Sequence, residues 1–278
     1  MTTAQKIIKY LAIAFAIFLI FTIISAVLSV VYGLITGLGL IRGNNADEEA
    51  KDLSIVEWNQ CDEAIRNLNI DINYSNFTIK ESDTFKIESN IDNIDCRQNG
   101  NKLEIKEKNH IRFNFGTVDN TRKIILFIPR DLILESVNIN TGSGRVNIEY
   151  IHSENLNLNL GAGETTIERL SIEQAKIDTG AGDFRIENGN INNLDFNQGV
   201  GKTDIKVKLT GKNKFSMGIG TLKMILLDKK DDYKIKVEKG IGDVKINGND
   251  VSDNETIGNG QNYISISGGI GEIYVDFI

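Results

Sequence analysis

The chain has 278 residues, of which 41% are apolar, with 26 glycines, a single proline and a formal net charge of -7. Its length suits one large domain or two small ones. The acidic balance argues against nucleic acid as a partner, because phosphate backbones are bound by clustered Lys and Arg, and the sequence shows no basic stripe beyond its first ten residues.

The first predicted element is a membrane span. Residues 10–41 carry no charged side chain and exceed the roughly 20 apolar residues that cross a bilayer, whereas the apolar core of a cleaved signal peptide has only about 7 to 15. Lys6 and Lys9 precede the span, and Arg42 is followed by acidic residues. The positive-inside rule therefore predicts a cytoplasmic segment at 1–9, a single-pass protein of the cell membrane, and a C-terminal domain outside the cytoplasm.

Residues 42–65 are predicted to be a linker, since they are acidic and show no clear alternation. The two cysteines of the chain are Cys61 and Cys96. Outside the cell they could form a disulfide, but two buried free thiols fit the sequence equally well. The sequence leaves these two alternatives open.

From Leu68 onward, short alternating runs predict β-strands separated by polar turns. These runs are LNIDI, FTIK, FKIES, KLEIKEK and RKIILFI. A Gly-x-Gly triplet then begins at five positions nineteen residues apart and recurs twice at longer spacing, which is typical of a stacked repeat. The predicted structural turn glycines are Gly142, Gly144, Gly161, Gly163, Gly180, Gly182, Gly199, Gly201, Gly218, Gly220, Gly240, Gly242, Gly269 and Gly271.

Each nineteen-residue unit carries two pairs of alternating positions, one before and one after the glycines. The pairs before are Val137 and Ile139, Leu156 and Leu158, Ala175 and Ile177, Leu194 and Phe196, and Asn213 and Phe215. The pairs after are Val146 and Ile148, Thr165 and Ile167, Phe184 and Ile186, Thr203 and Ile205, and Leu222 and Met224. Residues two apart share one face of a strand, so each unit is predicted to contribute two short strands to a common core.

The predicted fold is therefore all-β. Residues 66–278 are expected to form a single-stranded parallel β-helix, or β-solenoid, with coils of about nineteen residues, preceded by one N-terminal transmembrane α-helix. Glycine suits the corners because it tolerates positive φ and has no Cβ to collide with the next coil. The short polar residues two positions before five of the corners are expected to stack as a ladder. The final run, IYVDFI, is expected to form the last coil, and NGNDVSDNETIGNGQN a loop off one coil.

The glycine-rich turns do not fit a cofactor or metal motif. A dinucleotide site has one GxGxxG between a strand and a helix, whereas this triplet occurs seven times and is followed by no helical pattern. Calcium-binding β-rolls repeat every nine residues with an Asp in each turn, whereas here the residue after each triplet varies in charge. The glutamates stacked at Glu149, Glu168 and Glu187 leave calcium as a minor alternative, with Arg185 available to neutralise them.

The sequence gives little support to catalysis. The only histidines are His110 and His152, and neither lies in a pattern of Ser, Cys or carboxylate residues of the kind that general acid-base or nucleophilic catalysis needs. The chain is therefore predicted not to be an enzyme and to use no cofactor or metal.

The membrane-spanning N-terminus, the segment IPRDLILESVNINTGSGRVNIEYIHSENLNLNLGAGETTIERL and the units GAGDFRIENG and GVGKTDIKV together resemble the bacterial DUF4097 family, whose members carry an adhesin label. The resemblance covers roughly residues 66–278 and implies a single-stranded β-helix without catalytic residues. It implies a surface-binding, adhesin-like module whose partner is a protein or a cell-surface polymer. The alternative that it implies is a regulatory or scaffold component of the envelope-stress response that docks on another membrane protein.

Overall fold

The computed structural model describes residues 52–58, 64–108 and 122–278. The predicted membrane span, Cys61 and His110 lie outside these residues. The described part contains no helix that is long and apolar enough to cross a membrane. Its only helical element is a single 3-10 turn at Lys230–Asp232, and all its other regular elements are β-strands.

Within the residues that the structure describes, seventeen strands form one continuous sheet. In chain order they are β1 (Ser54–Ile55), β2 (Asn67–Ile72), β3 (Asn76–Ser82), β4 (Lys86–Ser89), β5 (Ile94–Asn99), β6 (Lys102–Glu107), β7 (Lys123–Pro129), β8 (Leu134–Ile186), β9 (Gly189–Asn192), β10 (Leu194–Thr210), β11 (Lys212–Leu226), β12 (Tyr233–Glu238), β13 (Val244–Ile246), β14 (Asn249–Asp250), β15 (Thr256–Ile257), β16 (Asn262–Ser267) and β17 (Ile270–Phe277). All five alternating runs that the sequence identified are strands, whereas β5 and the short strand β1, within the predicted linker, were not anticipated.

The central coils confirm the predicted solenoid. Each coil consists of a strand, a Gly-x-Gly corner and a second strand, and we name it by the first glycine of its corner. Neighbouring coils pair in parallel and in register: Phe196 lies opposite Ile177 on one side and Phe215 on the other. All twenty residues of the predicted core pairs are at most 5% exposed. The alternation therefore identified the residues that make the core.

Each central coil has three strand segments, so the prediction of two was incomplete. Ile172 pairs with Ile191, which in turn pairs with Leu209. These residues are buried and form a third line of parallel pairing. The sequence obscured this line because a glycine, Gly189, stands where an apolar residue would continue it, and because the spacing between partners falls from nineteen to eighteen residues at Leu209.

The C-terminal strand is not in the last coil of the stack, and that prediction was wrong. The coil formed by β16 and β17 pairs with β11 on one side and with β12 and β13 on the other. The final segment of the chain therefore lies inside the stack, between the Gly218 and Gly240 coils. This position buries Ile264, Ile266 and Val275 between two neighbours rather than leaving them at an edge.

The N-terminal end shows the same exchange of order. The first coil of the chain, β2 and β3, lies between the β6–β7 coil and the Gly142 coil. The outermost coil is therefore β6–β7. Together with the seven Gly-x-Gly coils, these two make nine parallel coils in the described part of the chain. Their order in the stack is β6–β7, β2–β3, Gly142, Gly161, Gly180, Gly199, Gly218, Gly269 and Gly240.

Both outermost coils are covered by short antiparallel strands. β4 and β5 pair with β7 and β6 at the N-terminal end, and β1 pairs with β4. At the other end, β14 and β15 pair with β13 and β12. The predicted loop thus contributes two strands. An open parallel edge would offer unpaired N–H and C=O groups to another chain, and these strands occupy part of it.

A buried carboxylate completes the N-terminal end. The Glu107 side chain, which is 2% exposed, accepts hydrogen bonds from the backbone N–H groups of Asn73 and Tyr74 at 2.8 and 3.0 Å. It also accepts from the hydroxyl of Ser75 at 3.1 Å and from the Arg122 guanidinium at 2.7 Å. Asn73, Tyr74 and Ser75 form the corner of the β2–β3 coil, whereas Arg122 directly precedes β7. Glu107 therefore takes the place of a further corner stacked on that of the β2–β3 coil.

Candidate interaction surfaces

The second glycine of every Gly-x-Gly corner has a positive φ. The values are 130° at Gly144, 144° at Gly163, 134° at Gly182, 141° at Gly201, 140° at Gly220, 134° at Gly242 and 144° at Gly271. This region is disfavoured for any residue with a Cβ. The first glycines, at 142, 161, 180, 199, 218, 240 and 269, instead lie directly over the backbone of the neighbouring coil.

The corners use their backbone groups to bind one another. A Cβ added to Gly182 would lie 1.9 Å from the carbonyl oxygen of Gly163. The N–H of Ile241 donates to the carbonyl of Gly269 at 2.7 Å, and the N–H of Gly271 donates to the carbonyl of Ile241 at 2.8 Å. Two cavities at these corners have volumes of about 10 and 20 Å³, enough for about one water molecule each. The corners therefore form a packed edge that offers a ligand little space.

The middle residue of each corner points outward and forms a graded apolar ridge. In stack order the ridge consists of Ala162, Ala181, Val200, Ile219, Ile270 and Ile241. The last five pair in register, each with the next. The last four are 44%, 49%, 51% and 72% exposed. Single exposed apolar residues are ordinary on a protein surface, but a contiguous row of them marks a contact surface.

The strand before each corner presents a flat polar surface, which we call the amide face. Its outward asparagines are Asn67, Asn69, Asn138, Asn140, Asn155, Asn157, Asn159 and Asn197. Most of them lie in the β2–β3, Gly142 and Gly161 coils, where Asn69 pairs in register with Asn138. Neighbouring strands are about 4.8 Å apart, and alternate residues along a strand are about 6.6 Å apart. The face therefore repeats amide donors and acceptors on a regular lattice.

Some of these amides bind one another and others are available. Asn159 donates to Asn140 at 2.7 Å, and Asn197 donates to Asp178 at 2.8 Å, which confirms the predicted polar ladder at these two steps. The side chains of Asn69 and Asn138 have no hydrogen-bond partner among the described residues. The amide face thus contains a self-paired column beside groups that can bind an external ligand.

The described residues contain no group of three or more His, Cys, Asp or Glu residues arranged to hold a metal ion.

The charged partners of the stacked glutamates differ from those that the sequence predicted. Glu149 lies 3.9 Å from Lys80, and Arg185 pairs with Asp204 at 3.6 Å rather than with Glu187. The imidazole ring of His152 lies beside the ring of Tyr150, with 6.5 Å between the two ring centroids.

Cys96 lies half-buried on β5 and is a free thiol in the described part of the chain. Burial, with a smaller contribution from Asp95, raises the pKa of its thiol to about 12. A thiol of this kind is a poor nucleophile near neutral pH, because the thiolate is the reactive form. Its local surroundings therefore do not support a catalytic role.

Sequence reasoning missed the apolar ridge, although its signal was present. The middle residues of the successive corners read Ser, Ala, Ala, Val, Ile, Ile and Ile along the chain. Only the two glycines of each corner were assigned a role from the sequence, and the residue between them was not. Only the packing of the corners shows that the side chain points outward.

No curated protein is significantly similar to the chain. Among solved structures, a candidate cell adhesion protein from Clostridium sporogenes is 18% identical, covers 82% of this chain and 98% of its own, and has a TM-score of 0.37. A candidate adhesin from Bacteroides fragilis is 14% identical with the same coverages and a TM-score of 0.36. A candidate lipid binding protein from Parabacteroides distasonis is 15% identical, with coverages of 82% and 96% and a TM-score of 0.35.

The family model described as Toastrack DUF4097 matches residues 65–270. This range begins just before β2 and ends at the first residue of β17, so it includes every residue of the Gly-x-Gly corners except Gly271. The resemblance predicted from the repeat is confirmed: the chain belongs to the DUF4097 family.

Proposed function

We propose that the chain is a non-catalytic binding module that a single N-terminal membrane span displays outside the cytoplasm, and that it binds an extended, hydroxyl-rich surface polymer on the amide face. The available amides of Asn69 and Asn138, side by side on a flat lattice, carry the proposal. Amide groups both donate and accept hydrogen bonds, as sugar hydroxyls do. A flat array suits a chain that lies along it, whereas a small ligand is normally held in a concave pocket.

Binding to purified cell-surface polysaccharides tests this function. The substitutions Asn69→Ala and Asn138→Ala together should weaken binding at least fivefold, because they remove the available amides. The matched control is Thr78→Ala with Asn147→Ala, a register pair on the other strand of the same two coils, and it should bind as the wild type does. Equal loss in both double variants would contradict a role for the amide face.

The predicted membrane topology is tested by a separate experiment. Protease added to intact cells should cleave the domain if it lies outside the cytoplasm. Protection that disappears only when the membrane is opened would place the domain on the other side. This outcome would exclude display at the surface without bearing on the fold.

A second candidate function is docking on another membrane protein as part of envelope regulation, and the apolar ridge favours it. The ridge is exposed along four consecutive coils, which suits a protein partner better than a hydrated polymer. A photo-crosslinker at position 219 should then capture one membrane protein reproducibly, and the same group at position 166, on an outward site of the sheet, should not. Docking would be contradicted by identical capture from both positions.

A further inference from the structure

The amide face changes character toward the C-terminal end of the stack, where four lysines replace the asparagines. Lys212 and Lys214 belong to the Gly218 coil, and Lys234 and Lys236 to the Gly240 coil. Between them lies the Gly269 coil, in which Tyr263 pairs in register with Lys212 and Lys234. Ser265 pairs in the same way with Lys214 and Lys236. We call these six residues the lysine patch.

The exchanged order of the coils sets the spacing of this patch. The lysines of one strand are two residues apart, or about 6.6 Å, and the two strands are separated by two coil steps, or about 9.6 Å. Lys212, Lys214 and Lys234 are exposed, and Tyr263 is partly buried. The patch is therefore a rectangle of positive charge with two hydroxyl groups along its middle.

The lysines of the patch have fewer partners than the other cations on the sheet faces. Elsewhere, outward cations commonly form close ion pairs, as Lys202 does with Asp204 at 2.6 Å and Lys102 with Glu104 at 2.6 Å. Within the patch, Lys236 binds Glu238 at 2.6 Å. Lys212, Lys214 and Lys234 have no ion pair within the described part of the chain.

Two carboxylates border the patch. Glu238 is the partner of Lys236, and Asp195 lies in register beside Lys214, one coil away. One carboxylate oxygen of Asp195 is buried without a hydrogen-bond partner. The six residues of the patch therefore carry four positive charges, with these two carboxylates at their border. The lysines of one strand are about 6.6 Å apart, which is within the roughly 8 Å screening length at physiological ionic strength. They therefore repel one another, and an external anion would relieve that repulsion.

We propose that the lysine patch binds the phosphodiester backbone of a linear, hydroxyl-bearing polymer outside the cytoplasm. This inference rests on the proposed function and names the chemical class of its ligand. The patch is flat, so a linear chain with anionic groups at similar intervals can contact several lysines at once. The cations are all lysines, which bind phosphate oxygens as point charges on flexible side chains. The hydroxyls of Tyr263 and Ser265 can bind the polymer between its phosphates.

The experiment measures binding of chemically defined poly(glycerol phosphate) to the purified full-length protein over a series of salt concentrations. The wild type should bind, with affinity falling as salt rises, because bound polyanions release counterions. Replacing the two lysines of the outer column, Lys212→Gln with Lys234→Gln, should weaken binding about tenfold and reduce the slope against salt by about one for each lysine removed. These side chains are exposed, so the thermal midpoint should remain unchanged.

The matched control is Lys206→Gln with Lys223→Gln, which removes the same charge from exposed positions on the strand after the corner. It should bind as the wild type does. If both double variants lose affinity equally, binding depends on overall charge and the patch assignment is overturned. No binding by the wild type would also overturn it.

Two competitor ligands test whether the lysine patch binds a phosphodiester and whether that group belongs to a polymer or to a lipid surface. A carboxylated polysaccharide of equal charge density should compete at least tenfold less well than poly(glycerol phosphate), and equal competition would overturn the phosphodiester assignment. Phosphatidylglycerol vesicles that bind more tightly, with the same dependence on Lys212 and Lys234, would show that the phosphate comes from a lipid surface and overturn the polymer. If neutral polysaccharide still binds through Asn69 and Asn138 while poly(glycerol phosphate) does not, this inference fails and the proposed function stands.

Discussion

In the middle of the stack each coil packs on the one that precedes it by nineteen residues. At both ends, two coils that are consecutive in sequence are instead separated by a third coil from another part of the chain. The β2–β3 coil lies between β6–β7 and Gly142, and the Gly269 coil lies between Gly218 and Gly240, so each separates two coils that are consecutive in sequence. The middle is held by identical corners and an apolar core. The ends are closed by antiparallel strands and, at the N-terminal end, by a buried carboxylate.

The middle of the stack and its two ends are stabilised by different interactions. A middle coil buries both of its open sides against copies of itself. An end coil has one open side, and a parallel edge without cover would expose unpaired backbone groups. Substitutions in the middle should therefore test close packing, and substitutions at the ends should test how the edges are closed.

The largest effect is expected from deleting residues 262–278. This removes β16 and β17, so β12 and β13 lose their parallel partners. Hydrogen exchange should show loss of protection throughout Tyr233–Glu238. The control deletes only residues 249–257, which form the antiparallel cover, and should affect mainly the outer coil. If protection of Tyr233–Glu238 survives the larger deletion, the order of the coils is wrong.

A large effect is also expected from Gly182→Ala in the middle of the stack. The new Cβ would lie 1.9 Å from the carbonyl oxygen of Gly163, at a φ of 134°. We expect a loss of at least about 4 kcal/mol in the free energy of unfolding, since backbone cannot yield as a side chain would. Gly248→Ala is the control: its φ is also positive but no atom lies within 4 Å, so it should cost about 1 kcal/mol. Chemical denaturation compares the two variants.

A smaller effect is expected from Glu107→Gln at the N-terminal end, about 2 to 3 kcal/mol, because hydrogen bonds to a charged group are replaced by neutral ones. Burial alone would raise the pKa of Glu107, but the hydrogen bonds from Tyr74, Arg122, Asn73 and Ser75 outweigh it and lower the pKa. The contribution of Glu107 is therefore complete above the unfolded-state pKa of a glutamate, about 4.3, and is lost as pH falls through the lower folded-state value.

Denaturation of the wild type and of Glu107→Gln across the range from pH 6 to pH 3 measures this dependence. The difference in stability between the two proteins should shrink as the pH falls. A constant difference over this range would contradict the assignment of a lowered pKa to Glu107.

The smallest effect is expected in the polar ladder. Asn159→Ala removes the hydrogen bond to Asn140 and should lower the free energy of unfolding by about 1 kcal/mol. Asn138→Ala, on an outward position of the same face with no partner among the described residues, should change stability by less than about 0.5 kcal/mol. Equal effects of the two substitutions would show that the ladder adds nothing to stability.

Much of the fold follows from local pattern. The period of nineteen located five coils, and the alternation identified all twenty residues of the predicted core pairs. These features depend on each residue and its immediate neighbours, so they can be read along the chain. The third strand segment was missed because Gly189 interrupts its apolar column, and β5 was missed because IDCRQN carries no clear alternation.

The candidate surfaces were less predictable. The lysine patch combines residues near positions 212, 234 and 263. It forms no basic stripe in the sequence, because its two pairs of lysines are separated along the chain by more than the length of one coil. One column of the amide face was predicted from the sequence, because the polar residues of the ladder repeat every nineteen residues. The outward direction of the ridge depends on the corner conformation, which the middle residue itself does not specify.

The sequence by itself determined the family, the all-β repeat, the residues of its core and the positions of its corners, because each of these depends on short-range spacing. Only the tertiary structure decided which coil lies next to which. Every Gly-x-Gly corner presents nearly the same backbone surface, so the spacing of the corners along the chain does not specify which coils are neighbours. The order of the coils places Tyr263 and Ser265 between two pairs of lysines.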